Sequence, residues 1–243
     1  MIQTLDRSAR ESATTPQHVA IIMDGNRRWA TQHALPAIEG HRRGAEVLRE
    51  IAAAAADAGV GYLTVFAFSE ENWQRESSEV GALMELVRSF ARAQARDLCA
   101  QDVRVRLLGR RGRLPAVTAA ALDELERGTA RCRGLQLNLA IDYGARTELC
   151  DAVKALAADV ASGALSAAAV DERVLSRYLY TAGMPDPDLV IRTGGELRVS
   201  NFLLYQIAYA ELWSTKTCWP DFDRAAFYAA LQAFSSRQRR FGR

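Results

Sequence analysis

A chain of 243 residues, 49% hydrophobic and 25% charged, carries enough apolar mass to bury a sizeable core and is most simply one α/β domain. A net charge of +2 and a pI near 8.4 speak against a nucleic-acid partner, because phosphate-tracking proteins concentrate basic residues on one face. Cys99, Cys132, Cys150 and Cys218 are far apart and lack Cys-x-x-Cys spacing, which argues against a disulfide framework or a zinc site and fits a reducing cytoplasm.

Residues 1–17 mix Asp6, Arg7, Arg10 and Glu11 with small polar residues and hold no apolar signal-peptide core, so a flexible tail is expected before a domain spanning 18–243. Val19 to Met23 is a run of apolar residues that predicts a strand buried on both faces. It stops at Asp24-Gly25-Asn26 and passes into Arg27-Arg28-Trp29. In an open parallel sheet ligands sit beyond the carboxyl ends of the strands, so a carboxylate, an amide and two guanidiniums there mark a site. A hairpin turn at Asp-Gly would need an alternating second strand, which Arg28 to Gln32 does not supply.

Gly40-His41-Arg42-Arg43-Gly44 reads as the start of a helix running to about Ala58, where basic residues beside free amides can hold an anion. The alanine run from Ala52 to Ala56 makes that helix slim and leaves volume beside it. Ile51 to Phe68 is a long apolar stretch, but Asp57, Gly59 and Gly61 divide it into a helix end and a strand, so no membrane span is expected.

Tyr62 to Phe68 is a second strand, ending in a polar loop from Ser69 to Arg75 that carries Asn72 and Trp73. A helix over about Glu79 to Ala100 sets Val80, Leu83, Met84, Val87 and Ala91 on one stripe, the pattern of core packing. Further strands are expected over 103–108 and 135–141, the latter ending in Asp142-Tyr143-Gly144-Ala145-Arg146, with helices over about 115–131, 147–161 and 171–180. Asp188 to Ile191 is a short buried strand ending at Arg192-Thr193-Gly194-Gly195-Glu196, followed by Arg198, Ser200, Asn201 and an apolar helix from Phe202 to about Ala210. Glu211 opens a last strand, and a helix from about Arg224 to Arg239 closes the chain.

Strands alternating with helices predict an α/β fold with a mostly parallel central sheet of about six strands flanked by helices. Its strand ends would gather Asp24, Asn26, Arg28, His41, Ser69, Arg75, Arg146, Arg192, Arg198 and Ser200, many arginines and few acids, which points to a polyanionic ligand. Asp24 and Glu211 are carboxylates suited to Mg²⁺, a hard ion that takes oxygen ligands and substrate phosphates. No Gly-x-x-x-x-Gly-Lys-Ser/Thr occurs, and Gly59-Val60-Gly61 precedes a strand, so neither a P-loop nor a dinucleotide fingerprint is present.

The segments HVAIIMDGNRRWA, GHRRGAE, AFSEENWQR, DYGAR, LVIRTGGELRVSNFLLYQIAYAELW and WPDF, in this order, resemble the cis-prenyltransferase family from about His18 to the end of the chain. The resemblance implies condensation of isopentenyl diphosphate with an allylic diphosphate such as farnesyl diphosphate, with Mg²⁺ as cofactor and undecaprenyl diphosphate as the expected product. By position it implies Asp24 and Asn72 as catalytic residues and Asp24 and Glu211 as metal-linked acids. Gly25, Asn26, Arg27, Arg28 and His41 would hold the allylic diphosphate, with Trp29 also substrate-binding, Arg192, Arg198 and Ser200 would hold isopentenyl diphosphate, and Ser69, Trp73 and Arg75 would complete the loop around Asn72. It also implies a cytoplasmic homodimer, with Arg240-Phe241-Gly242 as a carboxyl-terminal motif and transient contact with a membrane surface at product release. Ala37 stands where the family usually carries arginine, Glu76 where it carries proline, and Leu197 where histidine is frequent. A short-chain or irregular, head-to-middle condensing enzyme, or a non-catalytic partner subunit, are the alternatives.

Overall fold

The computed structural model describes residues 15–237. The strands β1 (His18–Ile22), β2 (Tyr62–Ser69), β3 (Arg104–Leu108), β4 (Gln136–Tyr143), β5 (Leu189–Arg192) and β6 (Glu211–Ser214) form one sheet in the order β3-β4-β2-β1-β5-β6. Every neighbouring pair is parallel, so each connection must cross a face of the sheet. The helices are α1 (Asn26–Gln32), α2 (Ala37–Asp57), α3 (Ser77–Ala100), α4 (Ala116–Thr129), α5 (Ala145–Ala161), α6 (Glu172–Ser176) and α7 (Arg224–Ser235).

Period-two alternation along β1 assigns its side chains to two cores. Val19 and Ile21 face a large cluster with Val47, Ile51, Leu63, Leu83, Leu125 and Phe227, while Ala20 and Ile22 face a smaller one with Tyr143, Val190, Phe202 and Leu203. Because β1 lies between β2 and β5, and the chain reaches β5 only after building the other side of the sheet, the β1/β5 boundary is the topological switch point. A crevice is expected beyond the carboxyl ends of those two strands, where Asp24 and Arg192 lie.

The amino end of β1 is held by a buried polar chain. His18 Nδ1 lies 2.8 Å from the Pro185 carbonyl, and its Nε2 lies 2.7 Å from Thr64 Oγ1, which also accepts from Asn138 Nδ2 at 2.9 Å. A carbonyl only accepts, so Nδ1 carries the proton and the Thr64 hydroxyl donates to Nε2. Burial lowers this imidazole to about 4, so it is neutral at pH 7.

Several sequence expectations need correction. Pro16 is buried and the Gln17 carbonyl accepts from Gly61 and Tyr62, so the ordered chain begins before His18; residues 1–14 and Arg240-Phe241-Gly242 lie outside the described residues. Helix α2 starts at Ala37 behind Pro36, not at Gly40, so His41 sits in its second turn and the free first-turn amides belong to Ala37 onward. The slim stretch Ala52 to Ala56 is covered in large part by α7, with Arg224 paired to Asp57 and the Tyr228 hydroxyl 3.5 Å from the Ala54 carbonyl, while Ala53 lines a recess shared with α3 and Arg224. Residues 202–210 form turns and no helix, because Ser200, Asn201 and Leu203 adopt positive φ of 49°, 62° and 47° and Gln206 is drawn to buried Glu148. The expected helix over 171–180 contracts to the five residues of α6.

Candidate active site

Strand β1 ends one residue before Met23, and Asp24 is fixed at once by its neighbours. Its N–H donates to Thr193 Oγ1 at 2.9 Å, and Thr193 Oγ1 donates back to the Asp24 carbonyl at 2.7 Å. The Asp24 carboxylate receives the Gly25 N–H at 2.6 Å on Oδ1 and Arg192 Nη2 at 2.8 Å on Oδ2, with Arg28 Nη2 at 3.4 Å. Gly25, at φ 103°, is the cap of α1 in left-handed backbone, and a Cβ there would lie 2.8 Å from Cys218 Sγ, so this turn admits glycine alone. The first-turn amides of α1 have no helical carbonyl before them and add donors to this corner.

Packing of α1 on α2 aligns the other polar groups. A Cβ on Gly40 would collide with the Asn26 carbonyl, so the two helices approach closely at that point. Asn26 Nδ2 donates to the Met23 carbonyl at 3.0 Å, which leaves Asn26 Oδ1 buried without a partner among the described residues; His41 Nε2 is in the same condition. Burial, with help from Arg75 and Arg27, lowers His41 to about 4. At pH 7 it is therefore a neutral hydrogen-bonding group, and the positive charge here comes from arginine. Arg75 Nη1 donates to Glu79 at 3.0 Å, and Arg27 lies 3.9 Å from the same carboxylate.

A second basic cluster stands across the switch point. Arg192, at the end of β5 and 7% exposed, bridges Asp24 to Ser200 Oγ at 2.9 Å and also reaches the Arg198 carbonyl. Its Nε is buried without a partner among the described residues. The Arg198 side chain turns outward and pairs with Glu196 at 2.6 Å. The loop is held in its strained conformation by Asn201, whose carbonyl and Oδ1 accept the Ala145 and Arg146 N–H groups at the start of α5 at 2.8 and 2.9 Å, and whose Nδ2 donates to Glu71 at 3.1 Å.

Residues Glu70–Gln74 form a 3-10 turn that Ser69 and Asn72 cap reciprocally, with Ser69 N–H donating to Asn72 Oδ1 at 3.1 Å. Trp73 anchors this turn: its Nε1 donates at 2.7 Å to Asp142, a buried carboxylate at the end of β4 that also binds Arg113. Asn72 is thus positioned by a residue seventy places along the chain from it.

Between these groups opens a cavity of about 250 Å³. Its mouth carries Asp24, Asn26, Arg27, Arg28, His41, Asn72 and Arg75, and its body is hydrocarbon: Leu48, Leu83, Leu86, Val87, Phe90, Leu122 and Ile141 among others. A register shift at Phe66, Phe68 and Ser69 of β2 lets Phe66, Ala67 and Phe68, three consecutive residues, all line it. The α3 stripe read as core packing is therefore in part a cavity wall. This arrangement suits an amphiphile with an anionic head and an apolar tail.

Residues 22–242 match the prenyltransferase family model described as undecaprenyl diphosphate synthase. The chain belongs to this family. An isoprenyl transferase of Agrobacterium fabrum is 50% identical over 230 residues, 95% of this chain and 93% of that protein, and one of Aquifex aeolicus is 47% identical over 232 residues, 96% and 98% respectively. Among solved structures, lavandulyl diphosphate synthase from Lavandula x intermedia, in complex with dimethylallyl diphosphate, superposes with a TM-score of 0.92 at 35% identity, covering 94% of this chain and 99% of that one. A probable undecaprenyl diphosphate synthase from Campylobacter jejuni gives 0.78 at 30% identity, covering 95% and 100%. The chain is an enzyme of prenyl transfer, and it makes prenyl diphosphates.

In this prenyltransferase the fold brings together Asp24, Gly25, Asn26, Arg27, Arg28, His41, Asn72 and Arg75 at the mouth, with Arg192 and Ser200 beside Asp24. Trp29 is not brought there: its indole donates to Asp221 at 2.7 Å and stacks on His33 at 4.2 Å, on the outer side of α1. Ser69 and Trp73 hold the turn and do not line the cavity. Glu211 pairs in register with Leu189 at the amino end of β6, three residues or about 10 Å along the strand from the Arg192–Ser214 level, and binds Arg237 at 2.6 Å. Within one chain Glu211 and Asp24 therefore do not share an ion. Sequence reading missed Asp142, Asn201 and Thr193 as positioning residues; each acts on the site through a partner 55 or more places away, so no local spacing announces them. The buried polar letter in the apolar strand ending at Asp142 was the available signal.

Proposed function

We propose that this enzyme condenses isopentenyl diphosphate with an allylic diphosphate such as farnesyl diphosphate, repeating the addition to give a long polyprenyl diphosphate, with undecaprenyl diphosphate, a lipid-carrier precursor for cell-wall synthesis, as product. The observation that carries this reading is one cavity whose mouth carries Arg27, Arg28, Arg75 and His41 and whose body is hydrocarbon. Arg27, Arg28, Arg75 and the neutral His41 meet the allylic diphosphate, and each added isoprene buries its carbons against Leu83, Leu86, Val87 and Phe90, a gain of roughly 3 kcal/mol per unit. Isopentenyl diphosphate takes Arg192, Ser200 and Arg198, the last by releasing Glu196. Its alkene attacks the first carbon of the allylic partner as diphosphate departs, and Asn72 assists loss of the proton that restores the double bond.

Asp24 is the residue that would hold Mg²⁺. The donor set fits an ion bound by one carboxylate together with substrate phosphates and water, since the described residues hold no cluster of three or more His, Cys, Asp or Glu. The ion would neutralise charge on the departing diphosphate. The described residues include no helix long and apolar enough to cross a membrane. A long polyprenyl product is insoluble in water, and in this reading a cytoplasmic enzyme releases it by transient contact with a membrane surface. Exposed Leu212 on β6, the edge strand of the sheet, supports a homodimer through that edge.

A second reading, a short or irregular condensation, is favoured by the 0.92 superposition on lavandulyl diphosphate synthase and by Ala37, which lies one turn before His41 on the same helix face. Incubating the purified chain with Mg²⁺, isopentenyl diphosphate and allylic diphosphates of five to twenty carbons, then sizing the products by mass spectrometry, decides between them. Products many isoprenes long with cis linkages support the first reading. A ten-carbon branched product establishes the second, and no product from the chain alone points to a non-catalytic subunit.

A further inference from the structure

Two thiols meet at the far end of α3 from the cavity mouth. Cys99 lies in the last turn of α3 and Cys132 in the turn between α4 and β4, 33 positions on. Cys132 Sγ nevertheless lies 2.8 Å from Cys99 Sγ and 3.9 Å from the Cys99 carbonyl oxygen, and both cysteines are free. Cys99 is exposed and Cys132 is buried, so one sulfur meets solvent and the other waits behind it. A disulfide bond is about 2.05 Å long, so the sulfurs need close by less than an ångström, with the two backbones already placed. Among the described residues Cys150 and Cys218 form no such pair.

We propose that Cys99 and Cys132 are a redox modification site: a low-molecular-weight disulfide oxidises the pair to an intramolecular disulfide that staples the end of α3 to the turn after α4. The exposed Cys99 thiolate attacks one sulfur of the small disulfide and expels one small thiolate, leaving a mixed disulfide. Cys132 then gives up its proton and attacks the Cys99 sulfur, expelling the second small thiolate. The protein loses two protons and two electrons, and the small disulfide becomes two thiols. Burial and the adjacent Cys99 push the Cys132 thiol up to about 11, which makes it the resolving partner and Cys99 the entry point. The staple joins the two helices that wall the cavity, α3 through Leu83, Leu86, Val87 and Phe90 and α4 through Leu122.

The test treats the intact native protein with oxidised glutathione and maps its peptides by mass spectrometry. Residues 99 and 132 are expected to appear as one linked pair, reversed by dithiothreitol, with the Tm raised by roughly 5–10 °C through closure of the intervening loop. Cys99→Ser should leave Cys132 unmodified, whereas Cys132→Ser should trap glutathione on Cys99. A wild-type protein that keeps glutathione on Cys99 with Cys132 free, that links through Cys150 or Cys218, or that reacts at neither sulfur overturns the proposal. Because Cys99 is exposed, Cys99→Ser remains informative even where the buried substitution impairs folding.

Discussion

The two faces of the sheet are made by the same strands and end in opposite ways. On one face, aromatic rings fill the space: Phe66 stacks on Phe202 at 4.6 Å, and Tyr143 sits edge-on to both at 5.9 and 6.1 Å. The Tyr143 hydroxyl donates to Glu148, a buried carboxyl pushed up by its burial and held also by Gln206 and the Tyr180 N–H. On the other face, Leu48, Leu83, Leu86, Val87, Phe90 and Ala67 are among the residues that surround about 250 Å³ of cavity. Side chains around such a hollow lack packed neighbours on one side, and a hydrocarbon tail, under the proposed function, would supply them. Stability and function are thus divided between opposite sides of one sheet.

The largest expected effect tests the mouth of the hollow side. Asp24→Asn keeps the hydrogen-bonding shape but removes the charge that pairs with Arg192 and Arg28 and that the proposed ion would need, so kcat/KM should fall by roughly a thousandfold or more, about 4 kcal/mol of transition-state stabilisation. Its Tm should move by only a few degrees. Near-normal turnover with Mg²⁺ present would remove Asp24 from the chemistry.

Next comes a matched pair of truncations read by urea unfolding. Phe202→Ala empties a fully buried, stacked position and should cost about 3–5 kcal/mol. Leu86→Ala enlarges an existing cavity and should cost less, about 1–2 kcal/mol, while altering product length. Equal losses at the two sites would break the division between faces.

The third effect is spread over a pH range. His18 and His41 both have folded pKa values of about 4 against 6.5 ordinarily, so between those values the unfolded chain binds protons that the folded one refuses. Their contribution to stability is present above pH 6.5, is lost as pH falls through that window, and levels off below 4, amounting to about 3 kcal/mol for His18 and less for the partly exposed His41. His18→Asn should flatten the slope of unfolding free energy between pH 6.5 and 4.5 relative to wild type. An unchanged slope would show that His18 is not held neutral.

The sequence by itself determined the strands and what terminates them. Five apolar letters stopping at Asp24-Gly25 demand a buried strand and a glycine turn, and alternation with long amphipathic helices demands a parallel sheet with its ligand at the strand ends. Asp24, Asn26, Arg28, His41, Arg75 and Arg192 were legible for that reason. Only the tertiary structure decided the rest, because those outcomes depend on partners distant in the chain. The 202–210 segment surrenders helix to the long-range bonds of Asn201 and Gln206, and Trp29 turns to Asp221 at the opposite end of the sequence. The alanine run is covered in large part by α7, while the hydrocarbon cavity opens beside the α3 leucines, since helical periodicity says which residues share a face but not whether anything arrives to cover it. The contact of Cys99 with Cys132 belongs to the same class: the two are 33 positions apart, and the stretch between them carries no trace of the contact until α3, α4 and β4 pack.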